Sequence, residues 1–164
     1  MRFRITQRID APLADVEAAL LDPAFLESLS ELPKLGRPQL LDVDDTGDTV
    51  RRRIRFAFAG QLSSKVTAVV DPAKLTWVED STTDRRTHRT TFRIVPDHYA
   101  DRLTASGSFV LEPNGTGTRR TAEGDLRVRF PLVGGRVEKA IVSGMQEYAA
   151  AEAGAITSWL AARG

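Results

Sequence analysis

The chain contains no cysteine, which excludes disulfides and cysteine-bound metals and fits a reducing, cytoplasmic compartment. It has only two histidines, His88 and His98. No group of His, Asp and Glu residues has the spacing of metal ligands, so we predict neither a metal nor a cofactor.

A strong charge of either sign is also missing. The 23 Lys and Arg residues nearly balance the 22 Asp and Glu residues, and the net charge is +1. A nucleic-acid binder of this size normally carries a clear basic excess, so this class of partner is not expected. Seven arginines do cluster in the middle of the chain, but acids lie among them and no aromatics are interleaved, as on the solvated outer face of a sheet: Arg51, Arg53, Arg55, Arg85, Arg86, Arg89 and Arg93.

Long apolar runs are missing too. The N-terminus alternates charged and apolar residues from Arg2 to Ile5 and does not resemble a signal peptide, and no stretch is apolar enough to span a membrane. The 164 residues, 41% of them hydrophobic, suit one soluble domain spanning residues 1–164. The oligomeric state stays open.

The hydrophobic periodicity predicts an α+β order. Residues 2–9 alternate as a half-buried strand, and two short helices follow at about 13–21 and 24–32. A period of two then returns in a series of strands, at 39–43, 50–58, 75–81, 87–95, 102–111 and 118–130. Residues 61–70 fit either a short helix or a strand.

One long amphipathic helix closes the chain, at about 135–162. Its apolar stripe consists of Val137, Ile141, Met145, Tyr148, Ile156 and Trp159. An antiparallel sheet of six or seven strands with one apolar face must cover that face, and this helix is the only large apolar element available. A curved sheet around a single helix rarely fills completely, so we expect a cavity between them.

Several short motifs, in this order, resemble the START-like superfamily of helix-grip domains. Ile9-Asp10-Ala11-Pro12 and Leu21-Asp22-Pro23 resemble its first strand, first helix and Asp-Pro break. Gly117-Thr118-Arg119 resembles its penultimate hairpin, and 131–135 (Pro-Leu-Val-Gly-Gly) resembles the entry to its closing helix.

The superfamily includes lipid-transfer domains, polyketide cyclases and birch-pollen-type allergens, so the resemblance implies a helix-grip fold with a ligand pocket. The chain is closest to branches whose activity is uncharacterised. It departs from the usual pattern at Glu17, where an aromatic is frequent, and at Phe25, where tryptophan is frequent.

The side chains expected to line the pocket follow from strand phase and from the helix stripe. They are Phe56, Phe58, Phe92, Phe109, Leu126, Ile141, Met145 and Tyr148.

Three residues are candidates for chemistry. His88 is in phase with Phe92, which would direct an imidazole inward as an acid/base; the alternative is a structural histidine at a sheet end. Arg52 is in phase with Ile54 and either clamps an anionic oxygen or lies at the rim. Tyr148 either contacts a ligand through its hydroxyl or only packs on the sheet.

For two further charged residues, the sequence leaves open whether the side chain points inward. Arg120 shares the ambiguity of Arg52. Glu152 lies one helical turn beyond Tyr148, and we expect it to swing to the edge because an unpaired buried carboxylate is costly.

Three functions remain open from the sequence. The leading hypothesis is binding or carrying of a hydrophobic small molecule, a lipid or a polyketide-like metabolite, because the predicted inner face has few polar groups. The alternative is a polyketide cyclase/dehydratase-type enzyme using Arg52, His88 and Tyr148. The third is an interaction domain with a filled core and no ligand.

Overall fold

The computed structural model describes residues 1–29 and 32–164. Within these ranges, the elements run in the order β1 (Arg2–Ile9), α1 (Leu13–Leu21), α2 (Pro23–Ser28), β2 (Gln39–Asp45), β3 (Thr49–Ala57), α3 (Ser64–Thr67, a single turn), a 3₁₀ turn (Pro72–Lys74), β4 (Thr76–Asp84), β5 (Arg89–Pro96), β6 (Leu103–Asn114), β7 (Gly117–Val128) and α4 (Gly134–Arg163).

The strands form one antiparallel sheet in the order β1-β7-β6-β5-β4-β3-β2. Strands 2 to 7 meander, each pairing with the next, and β1 pairs with β7 so that Ile5 lies opposite Ala122. The α+β helix-grip prediction is therefore confirmed.

The long helix α4 lies on the concave face and packs mainly on β1 and β7. Val137 and Ile156, at opposite ends of its stripe, are each fully buried. They belong to two separate apolar clusters, one built on β1, β5 and β7 and the other on α1, α2 and β3. The helix is 30 residues long, about 45 Å at 1.5 Å per residue.

Aspartate-proline pairs start two of the short helical segments. The Asp22 carboxylate accepts a hydrogen bond from the Ala24 amide at 2.9 Å, and Pro23 occupies the first position of α2. In the 3₁₀ turn, the Asp71 carboxylate accepts a hydrogen bond from the Ala73 amide at 3.0 Å. The ambiguous segment 61–70 contains α3.

The predicted boundaries need small corrections. The second helix was expected at 24–32 but covers Pro23–Ser28; the predicted positions 30 and 31 lie outside the described residues. Strand β5 begins at Arg89 rather than 87, because the preceding turn ends with His88 at a positive φ of 56°. Strand β7 ends at Val128, two residues early.

Most of the clustered arginines on the outer face have acidic neighbours. Arg85 donates to both carboxylate oxygens of Asp45 at 2.7 and 3.0 Å, and it lowers the pKa of that carboxyl to about 2. Arg93 pairs with Asp80 at 3.1 Å. Solvent screens such exposed pairs, so they balance charge more than they stabilise the sheet.

Two glycines inside α4 have different surroundings, and this yields a stability prediction. A Cβ at Gly154 would meet no atom within 4 Å, whereas one at Gly144 would lie 3.1 Å from Lys34 Cβ. We expect Gly154→Ala to raise the free energy of unfolding by about 1 kcal/mol, because alanine loses less backbone entropy on folding.

The matched variant Gly144→Ala should gain less or lose stability, because Lys34 has to shift. Urea unfolding of the two variants measures the difference. Equal gains would contradict the close approach of the 32–38 loop to α4.

Candidate functional site

A cavity of about 180 Å³ lies between the concave face of the sheet and α4. A single buried water needs roughly 10–15 Å³ by this kind of measure, so the cavity can hold much more than one water. Residues from β1, β3, β4, β5, β6 and β7 line it on one side, and α2 and α4 line it on the other.

The wall is mostly apolar. All eight side chains predicted to contact a ligand line this cavity: Phe56, Phe58, Phe92, Phe109, Leu126, Ile141, Met145 and Tyr148. That they bind a ligand stays a prediction.

Two stacked aromatic pairs form part of the wall. The Phe92 and Phe109 rings are 4.7 Å apart at an interplanar angle of 26°. Phe56 and Trp77 are 6.2 Å apart at the same angle. Trp77 was not among the predicted lining residues, although it lies directly opposite Phe56 in the sheet.

A buried hydrogen-bonded cluster interrupts the apolar wall at α4. Arg120 on β7 donates to the Glu152 carboxylate at 2.8 Å and to the Gln7 amide oxygen at 3.1 Å. The Gln7 amide nitrogen in turn donates to Glu152 at 3.0 Å and to the Ala149 carbonyl at 2.7 Å. The cluster joins β1, β7 and α4.

The expectation that Glu152 swings to the edge is wrong. The residue is 8% exposed, and it stays inside because Arg120 neutralises it and Gln7 supplies a second donor. Arg120 also faces inward, with its guanidinium carbon 4.3 Å from the centre of the Phe109 ring.

Arg52 on β3 faces inward as well. One of its terminal nitrogens donates to the Leu20 carbonyl at 2.9 Å, which anchors the guanidinium to the end of α1. Its Nε is buried and has no hydrogen-bond partner among the described residues. Burial lowers the pKa of Arg52 from its usual value, although Glu79 opposes that shift.

Glu79 on β4 lies in the interior beside Arg52. Its carboxyl lines the main cavity and a second, small cavity of about 30 Å³, and it makes no hydrogen bond or ion pair with another side chain of the described chain. Burial raises the pKa of Glu79, and the charges of Arg52 and Arg120 only partly oppose this.

Tyr148 points into the same end of the cavity. Burial is the main cause that raises its pKa, and the charges of Glu152 and Glu79 add to the effect. The phenol therefore stays neutral at any physiological pH and is able to donate a hydrogen bond.

His88 does not line the main cavity. It lies in the β4–β5 turn, where its Nδ1 is 2.9 Å from a carboxylate oxygen of Glu17 on α1. Both residues line the small cavity, and the His88 side chain is 38% exposed. The three catalytic candidates therefore do not meet, because only Arg52 and Tyr148 share the main cavity.

The expectation of a nearly apolar inner face also needs correction, since Gln7 and Glu79 were missed. Gln7 is in phase with Phe3, Ile5 and Ile9, so its strand did carry the signal of a polar residue facing inward. Glu79 is in phase with Trp77, which lines the same cavity, so its strand carried the same kind of signal.

No cluster of three or more potential metal ligands occurs in the ranges 1–29 and 32–164. No helix within the same ranges combines the length and apolarity needed to cross a membrane.

The buried ion pair gives a prediction for stability. Arg120→Met or Glu152→Met leaves the partner charge buried and uncompensated, and each should lower the free energy of unfolding by about 3 kcal/mol. The double variant should recover most of that loss, because no charge is left unpaired. Chemical denaturation of all four proteins measures the coupling, and additive losses would contradict it.

The fold recurs in solved structures of low sequence identity. TTHA0849 from Thermus thermophilus is 20% identical over 99% of each chain, with a TM-score of 0.71. The Zhui aromatase/cyclase from Streptomyces sp. R1128 is 14% identical over 96% of this chain and 92% of its own, with a TM-score of 0.65.

A START superfamily protein from Mycobacterium smegmatis is 13% identical over 99% of each chain, with a TM-score of 0.57. These likenesses confirm the START-like fold. A comparison with curated proteins finds no match to the sequence. A family model matches residues 4–160, and the chain accordingly belongs to the family described as protein of unknown function (DUF2505).

Proposed function

We propose that this protein binds or carries a hydrophobic small molecule, a lipid or a polyketide-like metabolite, in its internal cavity. One observation carries the proposal, which is the cavity of about 180 Å³ with a largely aromatic and aliphatic wall. A void of that size between apolar side chains costs stability when empty, because the lining atoms lose packing contacts. A bound apolar molecule restores those contacts.

The direct test is native mass spectrometry of protein purified from its own host. The expected result is a co-purified small molecule that is released on denaturation. A chain that carries no molecule, and that also fails to bind octan-1-ol in calorimetry, would favour the interaction domain over the carrier.

A charge placed in the cavity wall should abolish binding. Met145 lines the cavity from α4, and its neighbour Gln146 is exposed on the same helix. We expect Met145→Asp to remove measurable octan-1-ol binding, because a carboxylate in an apolar wall must either stay hydrated or be neutralised. The matched control Gln146→Asp should bind as the wild type does.

His88→Ala should leave the same affinity within about tenfold, since His88 lies on the small cavity and contributes at most one orienting hydrogen bond. Circular dichroism checks that every variant is folded. Loss of binding in Gln146→Asp, or retention in Met145→Asp, would contradict the location of the site.

One observation favours the cyclase/dehydratase alternative. Arg52, Glu79 and Tyr148 line the same cavity, and the charge of Glu79 acts on both of the other groups. Glu79 is suited to transfer a proton and the other two to stabilise an oxyanion. The fold shared with the Streptomyces aromatase/cyclase supports the same candidate.

The two functions differ in what co-purifies with Glu79→Gln. A dehydratase should accumulate a molecule heavier by one water than the one that co-purifies with the wild type. A carrier should retain the same molecule in both proteins.

A further inference from the structure

The charges around the cavity are not all compensated. Arg120 is paired with Glu152 at 2.8 Å, and Lys34, which also lines the cavity, lies 3.8 Å from Glu147. Among the residues that the structure describes, Arg52 has no such partner, and its only side-chain hydrogen bond goes to a backbone carbonyl.

Glu79 does not compensate Arg52 by direct contact. Its carboxyl forms no ion pair with any described residue, and burial favours its neutral form. The anchored guanidinium of Arg52 therefore has a positive charge that no direct contact with a described carboxylate compensates. In its neutral form, Glu79 beside it has a carboxyl proton available for donation.

This arrangement discriminates between classes of polar head group. An amine would face the uncompensated guanidinium of Arg52 and would be repelled. An uncharged alcohol would gain hydrogen bonds but no neutralisation. A single carboxylate would neutralise Arg52 and accept a charge-assisted hydrogen bond, which is roughly twice as strong as a neutral one.

We propose that the ligand is an amphiphile with one carboxylate, which accepts hydrogen bonds from the Arg52 guanidinium, beside Glu79, while the apolar tail lies along the aromatic wall. This inference rests on the proposed function, because it presupposes that the cavity binds a small molecule.

Proton uptake follows from the proposal. The charged groups facing Glu79 are Arg52 on β3, Arg120 on β7 and Glu152 on α4, together with the neutral phenol of Tyr148. Glu17 and His88 face it across the small cavity. A bound carboxylate adds a negative charge beside Glu79, so the pKa of Glu79 in the complex lies above its already raised value in the free protein.

The sign of the pH dependence follows because the pKa of Glu79 is higher in the complex than in the free protein. Below the pKa of Glu79 in the free protein, the group is protonated in both states and has no effect on affinity. Between that pKa and the higher pKa in the complex, binding takes up one proton, and the affinity for a carboxylate falls by up to about tenfold per pH unit.

The first experiment compares three probes of equal chain length, octanoate, octan-1-ol and octylamine, by calorimetry on the wild type at low salt. Octanoate should bind at least about tenfold more tightly than octan-1-ol, and octylamine should bind most weakly. If octan-1-ol binds as tightly as octanoate, the cavity binds apolar molecules but the carboxylate inference is overturned. If none of the three binds, the proposed function fails as well.

The second experiment assigns the preference to Arg52. Arg52→Met keeps an unbranched apolar side chain and removes the guanidinium, and it should lower octanoate affinity at least about tenfold with little change for octan-1-ol. The matched control is Arg53→Met, which removes the same charge from the exposed face of the same strand. An equal loss of octanoate binding in both variants would overturn the assignment.

The third experiment follows octanoate affinity with pH. The wild type should show the fall described above, and Glu79→Gln should show none while it still prefers octanoate to octan-1-ol. A fall that persists in Glu79→Gln and disappears in His88→Gln would place the proton on His88 and overturn the role of Glu79.

Discussion

The position of α4 on one side of the sheet determines most of the interior. The helix packs mainly on β1 and β7, at one edge, whereas the strands from β3 to β5 also turn side chains toward it. Helices α1 and α2 cover part of that opposite half, and the space left over is the cavity. The pocket is thus a consequence of covering a wide curved sheet with a single long helix.

Around that space lie two pairs of one arginine and one glutamate, and they differ in how their charges are compensated. Arg120 and Glu152 neutralise each other and, through Gln7, connect the helix to the edge of the sheet. Arg52 and Glu79 lie in the same interior without contacting each other as an ion pair. Arg120 and Glu152 satisfy each other's hydrogen-bonding groups. Arg52 and Glu79 have polar groups that only a further molecule or water can satisfy.

The sequence predicted the fold and much of the cavity wall because strand and helix periodicity are local signals. Phe92, with its period of two, and Met145, with its helical period, both face the cavity as expected. Periodicity also predicted that Arg52 lies on the inner face of the sheet. It did not show whether that position lies at the rim or inside. The neighbouring Leu20 carbonyl, which is 32 residues away in the chain, holds the side chain inside.

The errors arose where a distant partner or a turn decides the outcome. Glu152 is stable inside only because of Arg120 and Gln7, and the hydrogen bond to Gln7 spans 145 residues of sequence. His88 lies one residue before β5, and its positive φ breaks the alternation on which the inward prediction depended. Its partner Glu17 occupies the position where an aromatic is frequent in the START-like superfamily, so the departure in sequence corresponds to a local hydrogen-bond contact at the small cavity.

A carrier of purely apolar molecules would gain nothing from buried arginines. Replacing a buried ion pair by packed apolar side chains is often neutral or stabilising, so stability alone does not account for two arginines and two glutamates in the interior. The Arg120–Glu152 pair has a structural explanation, because it fixes α4 relative to β1 and β7. Arg52 and Glu79 have no equivalent explanation within the described chain, since neither completes a contact between elements beyond the bond to Leu20. Both residues line the same cavity as the aromatic side chains, and a ligand with one anionic group and one apolar body matches this lining.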